Sequence, residues 1–323
     1  MITISEFSLI EKIKRHFPIN KPETLGIGDD CAIIERKDSL LISTDTMIDG
    51  IHFLSKKMSF FAIGYKSLAV NISDIAAMCG KPEYFLLTLG IPDYLCDNDI
   101  EEFIKGLKKI SEEYNISLIG GDTVFSKKFL ISITILGTPF SKPVLRNGAK
   151  IGDFIYVTGK IGDSFIGLML LLGNNFPVKE KEYFLKRHFY PLPRIEWMRK
   201  IDEKYRINSA IDISDGLLGD LIHIAEESRC GFDLYIDNIP FSKEKMDKKF
   251  FERELFYIKK FISGGEDYEI IFTSPDEIDT EKLKGEGIFI SKIGKITSEE
   301  KRIFYRNRKL DFDSFKKKSF THF

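Results

Sequence analysis

Carboxylates in this chain recur where an apolar stretch meets Gly, Ser or Thr: "GIGDD" (Asp29, Asp30), "STDT" (Asp45), "NISD" (Asp74), "GGDT" (Asp122), "DISDG" (Asp212, Asp215) and "GGEDYE" (Glu266, Asp267). Each alone reads as a turn or helix cap, because short polar side chains satisfy backbone N–H groups there. Their shared format makes one common site a better account than a set of independent caps. Carboxylates brought within a few ångströms would raise one another's pKa or hold cations between them. Hard oxygen ligands with hydroxyl neighbours such as Ser43 and Thr44 favour Mg2+, which keeps several waters and commonly bridges to phosphates. Gly120 and Gly121 before Asp122 would let backbone N–H groups approach a phosphate, and Arg146 in "RNGA" would add a fixed positive fork.

Other chemistries fail on inspection. "DTMIDG", Asp45 to Gly50, imitates the start of a calcium loop, but Met47 takes its third ligand position and Lys56 the twelfth, where Glu is required. "TGKIGDS" has Ile161 after the lysine, so it is no Walker A loop, and "GIGDDC" lacks the third glycine of a dinucleotide fingerprint. His52, between Ile51 and Phe53, reads from its neighbours as a core or edge histidine. The four cysteines, Cys31, Cys79, Cys96 and Cys230, include no C-x-x-C pair, which removes zinc and redox motifs and suits reduced thiols. With 48 basic against 49 acidic residues and a formal net charge of −1, nothing general draws the chain to nucleic acid or an anionic membrane. No apolar run approaches the ~20 residues that span a bilayer, and the N-terminus lacks a signal-peptide pattern, so the expected location is cytoplasmic.

The elements that must position these acids alternate in type. "SLLISTDTM" and "EYFLLTLGI" read as strands, with a helix through Phe61, Tyr65, Leu68 and Ala69 between them. "DNDIEEFIKGLKKISEEY" reads as a helix opened by Asp97 to Asp99, followed by "ISLIGGDTV" with a Gly-Gly bend and the strand "KFLISITILGTP". Pro, Gly, Ser and Asn then gather between Pro139 and Gly148, a boundary signal. Beyond it come the strand "DFIYVTG", helices at "DSFIGLMLLLG", "KEYFLKRHFYPLPRIEWMRKI" (interrupted near Pro191) and "LLGDLIHIAEESRCG", and strands at "GFDLYI", "DYEIIFT" and "GIFISKIG". The lysine-rich "KEKMDKKFFERELFYIKK" reads as a solvated helix face. At 323 residues the chain exceeds one usual core of ~100–200 residues, so an α/β fold of α+β character in two mixed domains is expected, residues 1–140 and 141–323.

The ordered set, from "GIGDDCAII" through "STDTMIDGIHF", "GYKSLAVNISDIAAMCGKPEYFLLTLGIP", "GGDT", "RNGAKIGDFIYVTGKIGDS" and "AIDISDGLLGDL" to "SGGEDYEIIFT" and "FTHF", resembles the thiamine-monophosphate kinase family. That family shares a superfamily with aminoimidazole ribonucleotide synthetase, selenophosphate synthetase and a hydrogenase-maturation enzyme. The resemblance covers nearly the whole chain, except about 173–209 and the lysine-rich region. It implies domains of the aminoimidazole ribonucleotide synthetase-like type. It also implies ATP-dependent phosphorylation of thiamine monophosphate to thiamine diphosphate by direct, Mg-assisted in-line transfer, in a homodimer.

Carried over by motif, the resemblance makes Asp30, Ser43, Thr44, Asp45, Asp74, Asp122, Asp212 and Asp215 ligands of several Mg2+ ions. Gly121, Asp122, Arg146 and Ser214 become nucleotide contacts, with Phe103 or Ile104 beside the adenine. His52, Glu266 or Asp267, and Phe320 become contacts to the thiamine phosphate. Asp74, Asp122, Asp212 and Arg146 form the catalytic set, with Asp74 and the Asp212/Asp215 pair held at helix entrances, one group from each domain. The competing readings are another superfamily member using ATP on a different acceptor, and a non-catalytic nucleotide or thiamine-phosphate sensor.

Overall fold

Alternating apolar and polar side chains build two mixed sheets in the computed structural model, which describes residues 24–25, 31–34 and 39–315. The first holds β1 (Thr24–Leu25), β2 (Ala32–Ile34), β3 (Leu40–Ile48), β4 (Gly80–Ile91), β5 (Ser117–Phe125) and β6 (Leu130–Pro139) in the order β1-β2-β3-β6-β4-β5. Only β4 and β5 run parallel. The second holds β7 (Phe154–Thr158), β8 (Ser209–Asp212), β9 (Gly231–Tyr235), β10 (Ile270–Ser274), β11 (Ile290–Thr297), β12 (Lys301–Tyr305) and β13 (Arg308–Leu310), ordered β13-β12-β9-β11-β7-β10-β8. The expected mixture of strands and helices on each side of Pro139–Gly148 is therefore observed.

A helix over Phe60–Ala77 joins the two halves. Ser59 caps it, its Oγ accepting the Ala62 N–H at 3.2 Å. The helix is apolar nearly all round, the pattern of a segment covered on every side. The first sheet covers one side, while β8 and the helices Lys181–Phe189 and Ile195–Asp202 approach the other. Its neighbour Asp97–Glu113 packs at backbone contact distance: a Cβ on Gly64 would lie 2.0 Å from Phe103 O, and one on Gly106 1.9 Å from Phe61 O. One core consequently runs across both halves, from Leu68, Ile72 and Phe85 to Tyr156, Met198 and Phe272. A second, around Ile166, Leu221, Phe232 and Phe261, belongs to the C-terminal half.

Three local expectations change. Gly120 and Gly121 do not bend the chain; both stay inside β5, and a Cβ on Gly121 would sit 1.8 Å from Leu87 O across the parallel pair. Cys96 is the N-cap of the Asp97–Glu113 helix, and Asp99 Oδ2 accepts the Cys96 N–H at 3.0 Å. The lysine-rich run forms the helices Lys248–Glu252 and Glu254–Ile262, which bury Phe250, Ile258, Phe261 and Ile262 rather than lying wholly in solvent.

Candidate active site

Asp74 lies in the last turn of the Phe60–Ala77 helix, correcting the expectation of a carboxylate at a helix entrance. A negative charge there opposes the helix dipole and caps no N-terminus, so helix formation does not account for it. Its Oδ2 accepts a 2.6 Å hydrogen bond from Ser43 Oγ. Ser43 and Asp45 share the helix-facing side of β3 with buried Leu41 and Met47. The Asp45 N–H donates to Asn71 Oδ1 at 3.2 Å, one turn before Asp74. Thr44, between them, faces the other way: its Oγ1 donates to Ile133 O at 3.0 Å, so its hydroxyl stands apart from the Ser43–Asp74 group.

Asp212 ends β8 and is buried, and Asp215 follows in the turn before the helix Leu217–Glu227. Neither carboxylate caps that helix; Gly216 is the N-cap, and Asp220 Oδ2 accepts the N–H groups of Asp215 and Gly216 at 3.2 and 3.1 Å. Burial, then the charges of Asp215 and Asp212, push the Asp220 carboxyl well above the usual range, while Arg146 pulls it back. Arg146 is thus near this acidic turn, in the short 3-10 turn Arg146–Gly148 that Ser228 Oγ anchors by donating to Arg146 O at 2.9 Å. The turn is laced to the segment before β10: the N–H groups of Glu266 and Tyr268 donate to Ser214 O and Ile213 O at 2.8 and 2.9 Å. A Cβ on Gly265 would lie 2.1 Å from Ser214 O, which explains a glycine there.

The two halves meet at Tyr268. Burial, then the charges of Glu266, Asp45, Asp212 and Asp74, push its phenol well above the usual range. Carboxylates of β3 and the Phe60–Ala77 helix thus share one neighbourhood with carboxylates beside β8 and β10. Glu266 Oε1 lies 3.3 Å from the Lys66 ammonium and Oε2 lies 3.4 Å from His188 Nδ1. Burial works against the Glu266 charge, but Lys66, then His188 and also His52, hold its carboxyl below the ordinary range. His52 Nδ1 accepts the Ile48 N–H at 3.0 Å, which leaves Nε2 to carry the proton of the neutral ring. Asp267 is spent differently: its carboxylate accepts the N–H groups of Gly162 and Ser164 at 2.7 and 3.1 Å. Of the two acids left open by sequence, Glu266 is the one facing the acidic neighbourhood.

On the first sheet, Asp122 is exposed on β5, level with Thr88, and accepts its neighbour Thr123's N–H at 2.8 Å. Gly121 stands in the row that leads through Leu87 and Ile133 to Asp45. Phe103 is fully buried against Phe129, whereas Ile104 is half exposed and lines a surface groove with Ile91, Leu95, Cys96 and Ile100. Asp29, Asp30 and Phe320 lie outside the described residues. Among the described residues, no three His, Cys, Asp or Glu side chains form a group able to hold a metal by themselves. The carboxylates and hydroxyls present are hard oxygen donors, the type Mg2+ takes, and Mg2+ binds through one or two carboxylates plus waters and substrate phosphates rather than through a closed protein cage.

Sequence reasoning missed Lys66, His188, Tyr268 and Asp220. Lys66 carried a signal, a lone cation inside an apolar helix, and Asp220 sat four residues after Gly216 in "DGLLGD". His188 and Tyr268 gain meaning only from contacts across the chain.

Comparison with known proteins follows this geometry. Residues 28–138 match the AIR synthase related protein N-terminal domain and residues 150–306 the corresponding C-terminal domain. A thiamine-monophosphate kinase of Buchnera aphidicola is 40% identical over 337 residues, covering 99% of each chain. That of Bacillus subtilis is 33% identical over 333 residues, covering 99% of this chain and 100% of its own. The solved structure of AaThiL complexed with AMPPCP and TMP superposes with a TM-score of 0.83 at 31% identity, covering 100% of this chain and 99% of the other. No described helix is long and apolar enough to cross a membrane. The chain belongs to the thiamine-monophosphate kinase family, built from two AIR synthase related domains.

Proposed function

We propose that this protein phosphorylates thiamine monophosphate to thiamine diphosphate with ATP as donor, in the cytoplasm, by direct in-line transfer. The observation that carries the reading is the meeting of Asp45 and Asp74 with Asp212 and Glu266 around Tyr268 in a chain of this family. AaThiL, a relative, is complexed with AMPPCP and TMP. A phosphate monoester has its second pKa near ~6, so the acceptor oxygen is already largely ionised at neutral pH and needs no strong base. That accords with a site rich in carboxylates rather than poised general bases.

Each residue then has a task. Asp45, Asp74, Asp122, Asp212 and Asp215, with Ser43 and Asp30, are the Mg2+ ligands, and Thr44 joins through its backbone alone. Bound Mg2+ would neutralise phosphate charge in a site whose own carboxylates repel it. Arg146 places its guanidinium fork on the transferring phosphate, where charge spreads in the transition state. Gly121 and Ser214 contact the nucleotide, with Ile104 rather than Phe103 beside the adenine because Phe103 is fully buried. Glu266, His52 and Phe320 receive the acceptor, the carboxylate and the aromatic face suiting a cationic thiazolium. Residues 1–140 and 141–323 are the two functional domains.

The chain works as a homodimer through β5, whose outer edge pairs with no other strand among the described residues and whose Leu118, Ile119, Val124 and Phe125 are exposed. Phosphorus NMR of the protein with Mg-ATP tests the reaction, offering thiamine monophosphate in one tube and thiamine in another. ADP and thiamine diphosphate in equal amounts, only in the first tube, are expected; bound ATP without new diphosphate would overturn the reading. Inversion at a chiral γ-phosphorus is expected for direct transfer, and net retention would replace it with a phosphorylated-enzyme route.

A further inference from the structure

Lys66 is fully buried, which lysines almost never are. It sits mid-helix in the segment that joins the two halves, and its Nζ has no hydrogen-bond partner; its compensation is the ion contact with Glu266 Oε1 at 3.3 Å. Burial pulls the Lys66 ammonium below its ordinary range, and Glu266 opposes that pull. His188 closes the other side of the carboxylate at 3.4 Å and is itself 3.2 Å from Ser164 Oγ. Burial, then Lys66, push the His188 ring down to about 3, so the histidine meets Glu266 as a neutral ring.

Stability alone gives a poor reason for this arrangement. A buried ion pair commonly does no better than apolar residues of the same volume, because desolvation consumes the Coulombic gain. Glu266 also holds a left-handed backbone (φ 67°), as does Tyr268 (φ 50°), a conformation that is strained for non-glycine residues. The outcome is a carboxylate fixed on two sides, tied to the Asp212–Asp215 turn through its N–H, with a quarter of its side chain still exposed.

We infer that Lys66 is a positioning residue for the acceptor: it acts through Glu266, holding that carboxylate across the domain seam where it meets the cationic ring of the substrate. This rests on the proposed function. The lysine touches no substrate, since the carboxylate stands between its buried ammonium and the open site.

A double-mutant cycle in steady-state kinetics tests it, with Lys66→Met, Glu266→Gln and the two combined. Each single variant is expected to raise KM for thiamine monophosphate about tenfold, with KM for ATP unchanged, and the double variant to be no worse than Glu266→Gln. A folded Lys66→Met enzyme with wild-type KM for thiamine monophosphate would overturn the inference, as would effects that multiply in the double variant. If Lys66→Met alone does not fold, the double variant, which removes both charges, is compared directly with Glu266→Gln, and a further rise in KM overturns the inference. A wild-type protein that makes no thiamine diphosphate would instead end the functional reading, before any variant is compared.

Discussion

The seam between the halves and the outer edge at β5 depart from the usual distribution of polarity in opposite directions. At the seam Lys66, Asn71, Ser73 and Asp212 are buried; at the edge Phe125 is 75% exposed and Ile119 55%. Buried charge is expensive unless matched, and contiguous exposed apolar surface on a monomer usually awaits a partner. Neither departure helps this chain fold alone. In the proposed reading, chemistry faces inward at the seam and association outward at the edge.

The largest test of the seam is Asp74→Asn. Turnover of thiamine monophosphate should fall by about a thousandfold or more, the scale lost with a principal electrostatic group. Thermal unfolding of the same variant should be unchanged or slightly higher, by about 0.3–1 kcal/mol, because a charge opposing the helix dipole has gone. An active variant would remove Asp74 from the chemistry, and a large loss of stability would return it to a structural role.

Glu269, whose partners all lie in the C-terminal half, gives the purely structural contrast to the seam. It is fully buried, accepts Thr158 Oγ1 at 2.7 Å and Arg194 Nε at 2.6 Å, and also takes Arg187 Nη2 at 2.9 Å. Glu269→Ala would strand two largely buried guanidiniums, costing about 3–5 kcal/mol in denaturant unfolding. A loss below about 1 kcal/mol would mean that water or rearrangement replaces the carboxylate, and this part of the C-terminal half would be softer than its geometry implies.

How much of this was legible in the sequence depends on how local the cause is. Strands such as Leu40–Ile48 and Leu130–Pro139 announce themselves by alternation, and the Phe60–Ala77 helix by its apolar run. The acidic motifs stood out because Gly, Ser and Asp cluster at element ends. What the sequence hid was direction: Thr44 turns away from Ser43 by strand pleat, and Asp74 ends a helix that the "NISD" phrase seemed to begin. Long-range partners were also hidden, since Lys66, His188 and Glu266 meet across 200 residues of sequence from Lys66 to Glu266. The strands β8 and β13, of four and three residues, lack the length for a periodic signal.

Acid offers a smaller and more selective test of the seam. His188 is held at about 3 against an ordinary 6.5, so the unfolded chain takes up its proton first as pH falls. Stability should therefore drop from pH 6.5 toward pH 3 by up to about 1.4 kcal/mol per unit from this group, and be independent of it above 6.5. Burial raises the Glu269 carboxyl, but Arg194 and Arg187 outweigh it and keep it below its ordinary 4.5, so its contribution is lost only at lower pH. Between 4.5 and 6.5, His188→Gln should flatten the stability profile; parallel profiles for both proteins would show that the folded state accepts the proton on His188.

The edge should respond least in stability and most in assembly. Lysine is a common guard against strand-to-strand association, so Ile119→Lys with Phe125→Lys should convert a dimer to a monomer in sedimentation analysis. Surface changes of this kind normally move the stability of the fold itself by about 0.5 kcal/mol or less. The unfolding temperature should then lose any dependence on protein concentration, the mark of coupled association. A wild-type chain that sediments as a monomer would leave the exposed β5 residues without the partner argued for them. Turnover in the monomeric variant sharpens the comparison further. Asp122 shares β5 with these residues, so an activity that falls with dissociation would join edge and seam in one site, whereas full activity would keep their tasks separate.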